Sequence, residues 1–370
     1  MKPDSTSSDI LKLHPSIFAL AAGGVLLALT GCKHLGPKTV AVDRFDYSAA
    51  IAESWKQQTL LNIVKIRYLD LPVFVDVSSI VAGYSLQTGI SASGVLSSER
   101  AVQGNYLSAG AQAIYTDRPT ITYTPMTGQK FLRGLITPID PKNIFFLLQS
   151  GYAADFVLGL TVESLNGVRN RSTTAGTVRE ADPEFIRALQ LMREMQVVGA
   201  FGMRVEEGKD KTSTAVMFFR RDNLPPELLE KAHEARRLLK LPEDQMKFAL
   251  VYSPTAGAAG ELGVGSRSML QIMGAMASYT DVPESDLREQ RATPSLQPTN
   301  SVANSDPVKI KSSKEKPADA FAAVHYRNHW FWVDDRDWRS KRAFTAIMFL
   351  FTMAETGADE KLPLITIPAQ

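Results

Sequence analysis

Apolar residues recur along this chain with more than one period. Between about residues 46 and 69, Ile51, Trp55, Leu61, Val64 and Tyr68 return at intervals of three, four and six. That is the spacing of an amphipathic helix, which Pro72 ends. Val73-Phe74-Val75-Asp76-Val77 is a β-branched run, and beyond it the period becomes two. Ala82, Tyr84, Leu86, Ile90 and Ala92 alternate with Gly83, Ser85, Gln87, Gly89, Ser91 and Ser93. After a polar interval (Ser97-Ser98-Glu99-Arg100, then Gln103-Gly104-Asn105), Leu107, Ala109, Ala111, Ala113 and Tyr115 alternate with Ser108, Gly110 and Gln112. The pattern predicts an extended β-hairpin over 82–115. Each half has the length of a tilted membrane-spanning strand, about 9–11 residues. Two readings stay open: a hairpin or Gly/Ser/Ala-rich loop resting on the protein's own core, or one hairpin from each of several copies joined in a shared barrel.

The remainder reads as alternating helices and strands. Asp117-Arg118-Pro119 predicts a turn and residues 120–124 a short strand. Asp140-Pro141 and Asp182-Pro183 each place a capping residue before a first-turn proline. They open helices through Ile144, Phe145, Leu147 and Leu148, and through Ile186, Leu189, Met192 and Met195. Residues 156–165 read as a strand leading into an Asn166-Gly167 turn, with a polar loop after it. A hairpin is expected over 201–206 and 214–219, a helix from Pro225-Pro226 to about Leu239, and a strand over 248–252. Residues 292–317, rich in Pro, Ser, Thr, Asn and Lys, predict a flexible loop. An aromatic hairpin around Arg327-Asn328 follows, then a helix over about 338–355, and Leu364-Ile365-Thr366-Ile367 is expected to complete a sheet. The predicted class is α+β (mixed α/β), with a helix and extended hairpin in 46–116 and a mixed-sheet domain in 117–370.

The N-terminal pattern differs from all of this. Residues 17–29 are without exception apolar or glycine, which is too short for a spanning helix of about 20 residues and suits a signal-peptide core. Leu29-Thr30-Gly31-Cys32 follows. The stretch resembles the lipobox of bacterial lipoproteins. The resemblance covers residues 17–33 and implies cleavage before Cys32, a diacylglycerol thioether and an N-acyl chain, commonly palmitate, on that cysteine, and a tether over 32–45. Two or three acyl chains give stable anchoring where one is marginal. Lys33 stands where an aspartate would favour inner-membrane retention in lipoproteins of enteric type, so the resemblance implies the outer membrane, facing the periplasm.

Composition narrows the function. Loss of residues 1–31 removes two Lys and two Asp and leaves the formal net charge at +2. So nearly neutral a chain offers no field for nucleic acid. Cys32 is the only cysteine, so no intrachain disulfide can form. Gly257, Gly260, Gly263 and Gly265 lie between a predicted strand and a predicted helix. That context suits a phosphate cradle, and Gly263, Gly265, Ser266 (as N-cap) and Arg267 form a candidate anion site. No Lys follows Gly265, so the Walker pattern fails. His325 and His329 flank a turn with no zincin glutamate, Asp334, Asp335 and Asp337 precede a helix that one of them caps, and no metal site or cofactor is expected. Trp330, Trp332 and Trp338 with Phe331 and Phe344 are read as core. The expected function is non-catalytic: a lipid-anchored protein that binds or scaffolds an envelope partner. The alternatives are an oligomeric pore or export component using hairpin 82–115, which makes it a homo-oligomer, and an envelope hydrolase.

Overall fold

A computed structural model of the chain describes residues 39–81, 83–95, 106–174, 177–207, 213–220, 224–293 and 308–354. Cys32 and the 364–367 segment lie outside these residues. The described chain divides into two compact units. One takes residues up to Ala52 together with Val77–Thr122, and the other takes Glu53–Asp76 together with residues from Tyr123 onward. The fold is α+β, with nine helices among the described residues.

Helix α1 runs Thr39–Arg67 and so begins inside the stretch expected to be a tether. After Pro37 no glycine or proline occurs until Pro72, so nothing in the sequence stops the helix earlier. Strands β1 (Phe74–Val81), β2 (Tyr84–Val95), β3 (Tyr106–Asp117) and β4 (Thr120–Met126) follow, with β2 paired to β3 and β1 to β4. The predicted turn at Asp117-Arg118-Pro119 is instead a break between two ladders. The Arg118 N–H donates to the Gly83 carbonyl at 2.9 Å, and Pro119 has no N–H to give.

The larger unit is built on a six-stranded sheet in the order β6-β5-β12-β11-β10-β9. Its strands are β5 (Val162–Leu165), β6 (Val168–Arg169), β9 (Phe201–Glu207), β10 (Ser213–Phe219), β11 (Lys247–Tyr252) and β12 (Glu261–Ser266). Only β11 and β12 run parallel among these pairs. Around the sheet lie α2 (Gln129–Ile136), α3 (Pro141–Gln149), α4 (Ala154–Thr161), α5 (Pro183–Val197), α6 (Pro226–Leu238), α7 (Met269–Ser278) and α8 (Glu284–Arg288). A second sheet holds β13 (Lys311–Ser313), β15 (His329–Asp334) and β14 (Ala320–Tyr326) in that order, and α9 spans Trp338–Ala354. β13 falls within the predicted 292–317 loop. β7 (Ser172–Thr174) and β8 (Thr177–Arg179) form a small ladder where a polar loop was expected.

The expected strand over 156–165 is half helix. Ala154, Val157, Leu158 and Thr161 are buried at i, i+3, i+4 and i+7, a helical stripe inside an apolar run whose second half becomes β5. Both Asp-Pro starts hold. Asp140 accepts from the Lys142 N–H at 2.9 Å, whereas Asp182 turns its carboxylate to the Arg169 N–H at 2.7 Å.

The end of α1 belongs to this core. Leu60, Ile63, Val64 and Tyr68 are buried on one helical face, and Phe74 is buried beside Phe131 and Phe351. Two amide side chains tie the helix to the strand after it. Asn62 donates to the Val73 carbonyl at 2.8 Å and accepts its N–H at 2.9 Å. Gln58 does the same with Val75 at 3.0 and 2.5 Å. Each amide stands in for a neighbouring strand, satisfying backbone groups that β1 could not otherwise pair at its root.

Candidate functional site

The β2–β3 ribbon is the part of the molecule that its own unit leaves least explained. Twelve residues of each strand pair in unbroken antiparallel register, from Tyr84↔Asp117 to Val95↔Tyr106. Side chains alternate across a strand, so register decides which residues share a face. Thr88↔Ala113 and Ile90↔Ala111 lie on one face, together with Tyr84, Ala109 and Tyr115. Ser85↔Thr116, Gln87↔Ile114, Gly89↔Gln112, Ser91↔Gly110 and Ser93↔Ser108 lie on the other. The residues of the two apolar series that this register covers, from Tyr84 onward, thereby share a single side of the ribbon. Tyr84 and Tyr115 stack at 6.4 Å between ring centroids at its β1/β4 end. Ser91 Oγ donates to the Gly110 carbonyl at 3.4 Å on the polar face.

Both faces meet solvent. Every described side chain between Ser85 and Tyr115 is exposed, and Ile90 keeps 82% of its surface. The ladder has two strands, each with one edge unpaired among the described residues. Natural edges are blunted with Lys, Pro or inward charges. The sequences of β2 and β3 carry neither Lys nor Pro, and their single charge is Asp117 at the end.

The candidate anion residues have other work. Gly263 and Gly265 lie within β12, and the loop over 253–260 folds back across that strand. A Cβ on Gly263 would come within 2.4 Å of the Thr255 carbonyl oxygen, and one on Gly265 within 2.3 Å of Ser164 Oγ, so close approach is what requires glycine. The amides that a phosphate would use are engaged by Asn166. Its Oδ1 accepts from the Gly263 N–H at 2.7 Å and the Gly257 N–H at 3.2 Å, and its Nδ2 donates to the Leu239 carbonyl at 2.9 Å. Asn166 holds φ at 47°, a left-handed backbone that asparagine tolerates. Sequence reading saw Asn166 as a turn residue only, and nothing in the sequence marks its buried role.

Ser266 is not the helix cap. Ser268 caps α7, in a full capping box with Gln271: Ser268 Oγ accepts the Gln271 N–H at 3.2 Å, and Gln271 Oε1 accepts the Ser268 N–H at 2.8 Å. The Arg267 guanidinium is buried and donates to the Leu160 carbonyl at 3.0 Å and to the Arg171 carbonyl. Burial pushes its pKa down to about 10, partly offset by the Glu163 carboxylate, so it stays a cation at neutral pH.

The acidic run is likewise engaged. Asp334 pairs with Lys311 at 2.8 Å, Asp335 with Lys341 at 2.7 Å, and Asp337 caps α9 through the Ser340 N–H at 3.2 Å. No group of three or more His, Cys, Asp or Glu with metal-binding geometry occurs among the described residues. Of the aromatic patch, Phe331 and Phe344 are core. Trp330 and Trp332 lie half-buried beside Lys316 and Lys311, and Trp338 is exposed. A cleft of about 580 Å³ opens between α3, α5 and β9, lined by Phe145, Leu148, Arg193, Gln196 and Met203 among others. Gln196 spends its amide on Leu148, Tyr152, Ala154 and Arg193, and no residue of the 253–260 loop lines the cleft.

Searches against protein-family models, curated proteins and solved structures found no match to this chain.

Proposed function

We propose that this chain is a lipid-anchored protein of the bacterial outer membrane, facing the periplasm, that binds or scaffolds a partner rather than catalysing a reaction. The observation that carries the binding role is the β2–β3 ribbon, an amphipathic two-stranded ladder that covers neither of its faces. An isolated two-stranded hairpin is marginal in water, so a ribbon of this length is best explained by something that seats against it. The lipobox at Leu29-Thr30-Gly31-Cys32 supports the anchor.

Two measurements test the reading. Palmitate labelling in cells is expected to mark the wild-type chain and to be lost in Cys32→Ser, which moves from the outer-membrane fraction to the soluble periplasm. A photo-crosslinking residue at Thr88 is expected to give a discrete adduct in cells, whereas the same probe at exposed Glu230 on α6 gives none. An unlabelled wild type, or equal behaviour at the two probe positions, would refute it.

A further inference from the structure

We infer that what seats against the ribbon is another copy of this chain, and that successive ribbons join edge to edge into a closed β-barrel across a bilayer. The inference rests on the lipid-anchored binding role proposed above and names the partner.

Four observations converge on a second copy. First, the register places a predominantly apolar face (Tyr84, Ile90, Ala109, Ala111, Ala113 and Tyr115, with Thr88 among them) opposite a face of Ser, Gln, Gly and Thr that carries one large apolar residue, Ile114. A barrel wall between lipid and water needs that division, which a strand packed on a soluble core also shows, but on a face it then buries. Here both faces are exposed.

Second, β2 and β3 each leave one ladder edge unpaired among the described residues, and they run antiparallel. The outer edge of β3 in one copy can therefore pair with the outer edge of β2 in the next in the same antiparallel sense. That contact is heterologous and repeats, and it generates a ring where its rotation closes. The membrane demands closure, because an unpaired backbone group in hydrocarbon is too costly to keep.

Third, charge is withdrawn from both strands of the ribbon. No charged residue stands between Asp76 and Glu99, nor between Arg100 and Asp117, in a chain that is 22% charged. A soluble partner would leave the edges to be guarded by Lys or Pro before it arrives; here they are bare.

Fourth, the length fits. Twelve residues at ~3.3 Å make a strand of about 40 Å, which at a barrel tilt of ~40° covers about 30 Å, the thickness of the hydrocarbon core. The Tyr84–Tyr115 pair then sits at one interface, where barrels carry aromatic girdles. Each copy supplies two strands, so the strand number is even. The lumen is lined by the Ser85, Gln87, Ser91, Ser108 and Gln112 face, uncharged and polar except at Ile114.

The test uses the purified full-length lipidated protein, reconstituted into phosphatidylethanolamine/phosphatidylglycerol vesicles holding a small fluorophore. Wild type is expected to migrate as an SDS-resistant oligomer when unheated and to raise dye release at least tenfold over empty vesicles. Lys is then placed at adjacent positions. Ile90→Lys and Ala111→Lys, on the lipid face, are expected to lose oligomer and release together. Ser91→Lys and Gln112→Lys, on the lumen face, are expected to keep both and to shift the reversal potential of planar-bilayer currents toward anions. All four sites are exposed in the single chain, so thermal unfolding of the larger unit stays at the wild-type value and misfolding is not the cause. A monomeric wild type that leaves vesicles intact would overturn the barrel, as would either adjacent pair behaving alike. A palmitate-labelled chain whose Thr88 probe joins it to a different protein also overturns the barrel while leaving the anchored scaffold standing. Loss of the label or of the adduct removes the scaffold itself.

Discussion

The β9–β10 hairpin and the β2–β3 ribbon are both antiparallel ladders, yet they follow opposite rules. In β9–β10 the seven-residue strands bury Phe201, Met203, Met217 and Phe219 against helices, and β11 covers one edge. In β2–β3 the strands are nearly twice as long and each described side chain from Ser85 to Tyr115 faces solvent. The first hairpin derives its stability from what it packs on. The second has small residues and backbone hydrogen bonds and little else, which is the ground for the partner proposed above. Burial separates the two more sharply than secondary structure does.

Matched substitutions in the larger unit's interior and in the ribbon put this contrast to work. Phe331→Ala in the buried core is expected to cost about 3–5 kcal/mol in denaturant unfolding of the larger unit. Ile90→Ala in the ribbon should leave the same transition within about 0.5 kcal/mol, and a comparable loss there would mean that the ribbon packs on something in the monomer. Asn166→Ala strands the N–H groups of Gly257 and Gly263 and the Leu239 carbonyl, and about 2–3 kcal/mol should be lost. Gln112→Ala, an exposed amide, serves as its silent counterpart. Gly263→Ala forces a Cβ against the Thr255 carbonyl, for about 1–3 kcal/mol, while Gly89→Ala meets nothing within 4 Å and is expected to be neutral.

The smallest effect is in alkali. Burial, then the 2.6 Å hydrogen bond to Asp286, raises the Tyr68 pKa above that of an ordinary tyrosine. Below pH ~10 both states hold the proton and nothing changes. Above it the unfolded chain ionises first, so stability falls with rising pH by at most about 1.4 kcal/mol per unit. Tyr68→Phe should remove that slope, as followed by unfolding midpoints between pH 9 and 11. An unchanged slope would assign the alkaline loss to other groups.

Much of the fold was legible where one signal dominated. Asp140-Pro141 and Asp182-Pro183 announced helix starts, Arg327-Asn328 a tight turn with both residues at positive φ, and the period-two stretch its hairpin. The failures have physical causes. Residues 154–165 are apolar enough to satisfy either period, and only the partners around them make the first half a helix. The glycines before α7 mimic a phosphate loop because close backbone approach and anion binding call for the same residue. What separates the two is Asn166, nearly a hundred positions from the amides it fills. The ribbon's faces could be listed from sequence, but that the two apolar series share one side depends on register, which alternation alone leaves open by one residue.

The amides of Asn62 and Gln58 also have a mechanical meaning. They grip Val73 and Val75 side-on, as a neighbouring strand would, with four hydrogen bonds lying across the direction of β1. Tension along that strand therefore loads all four in shear at once, instead of peeling them singly. Whatever pulls on β1 pulls first on the end of α1, and through it on the core that holds Leu60, Ile63 and Val64.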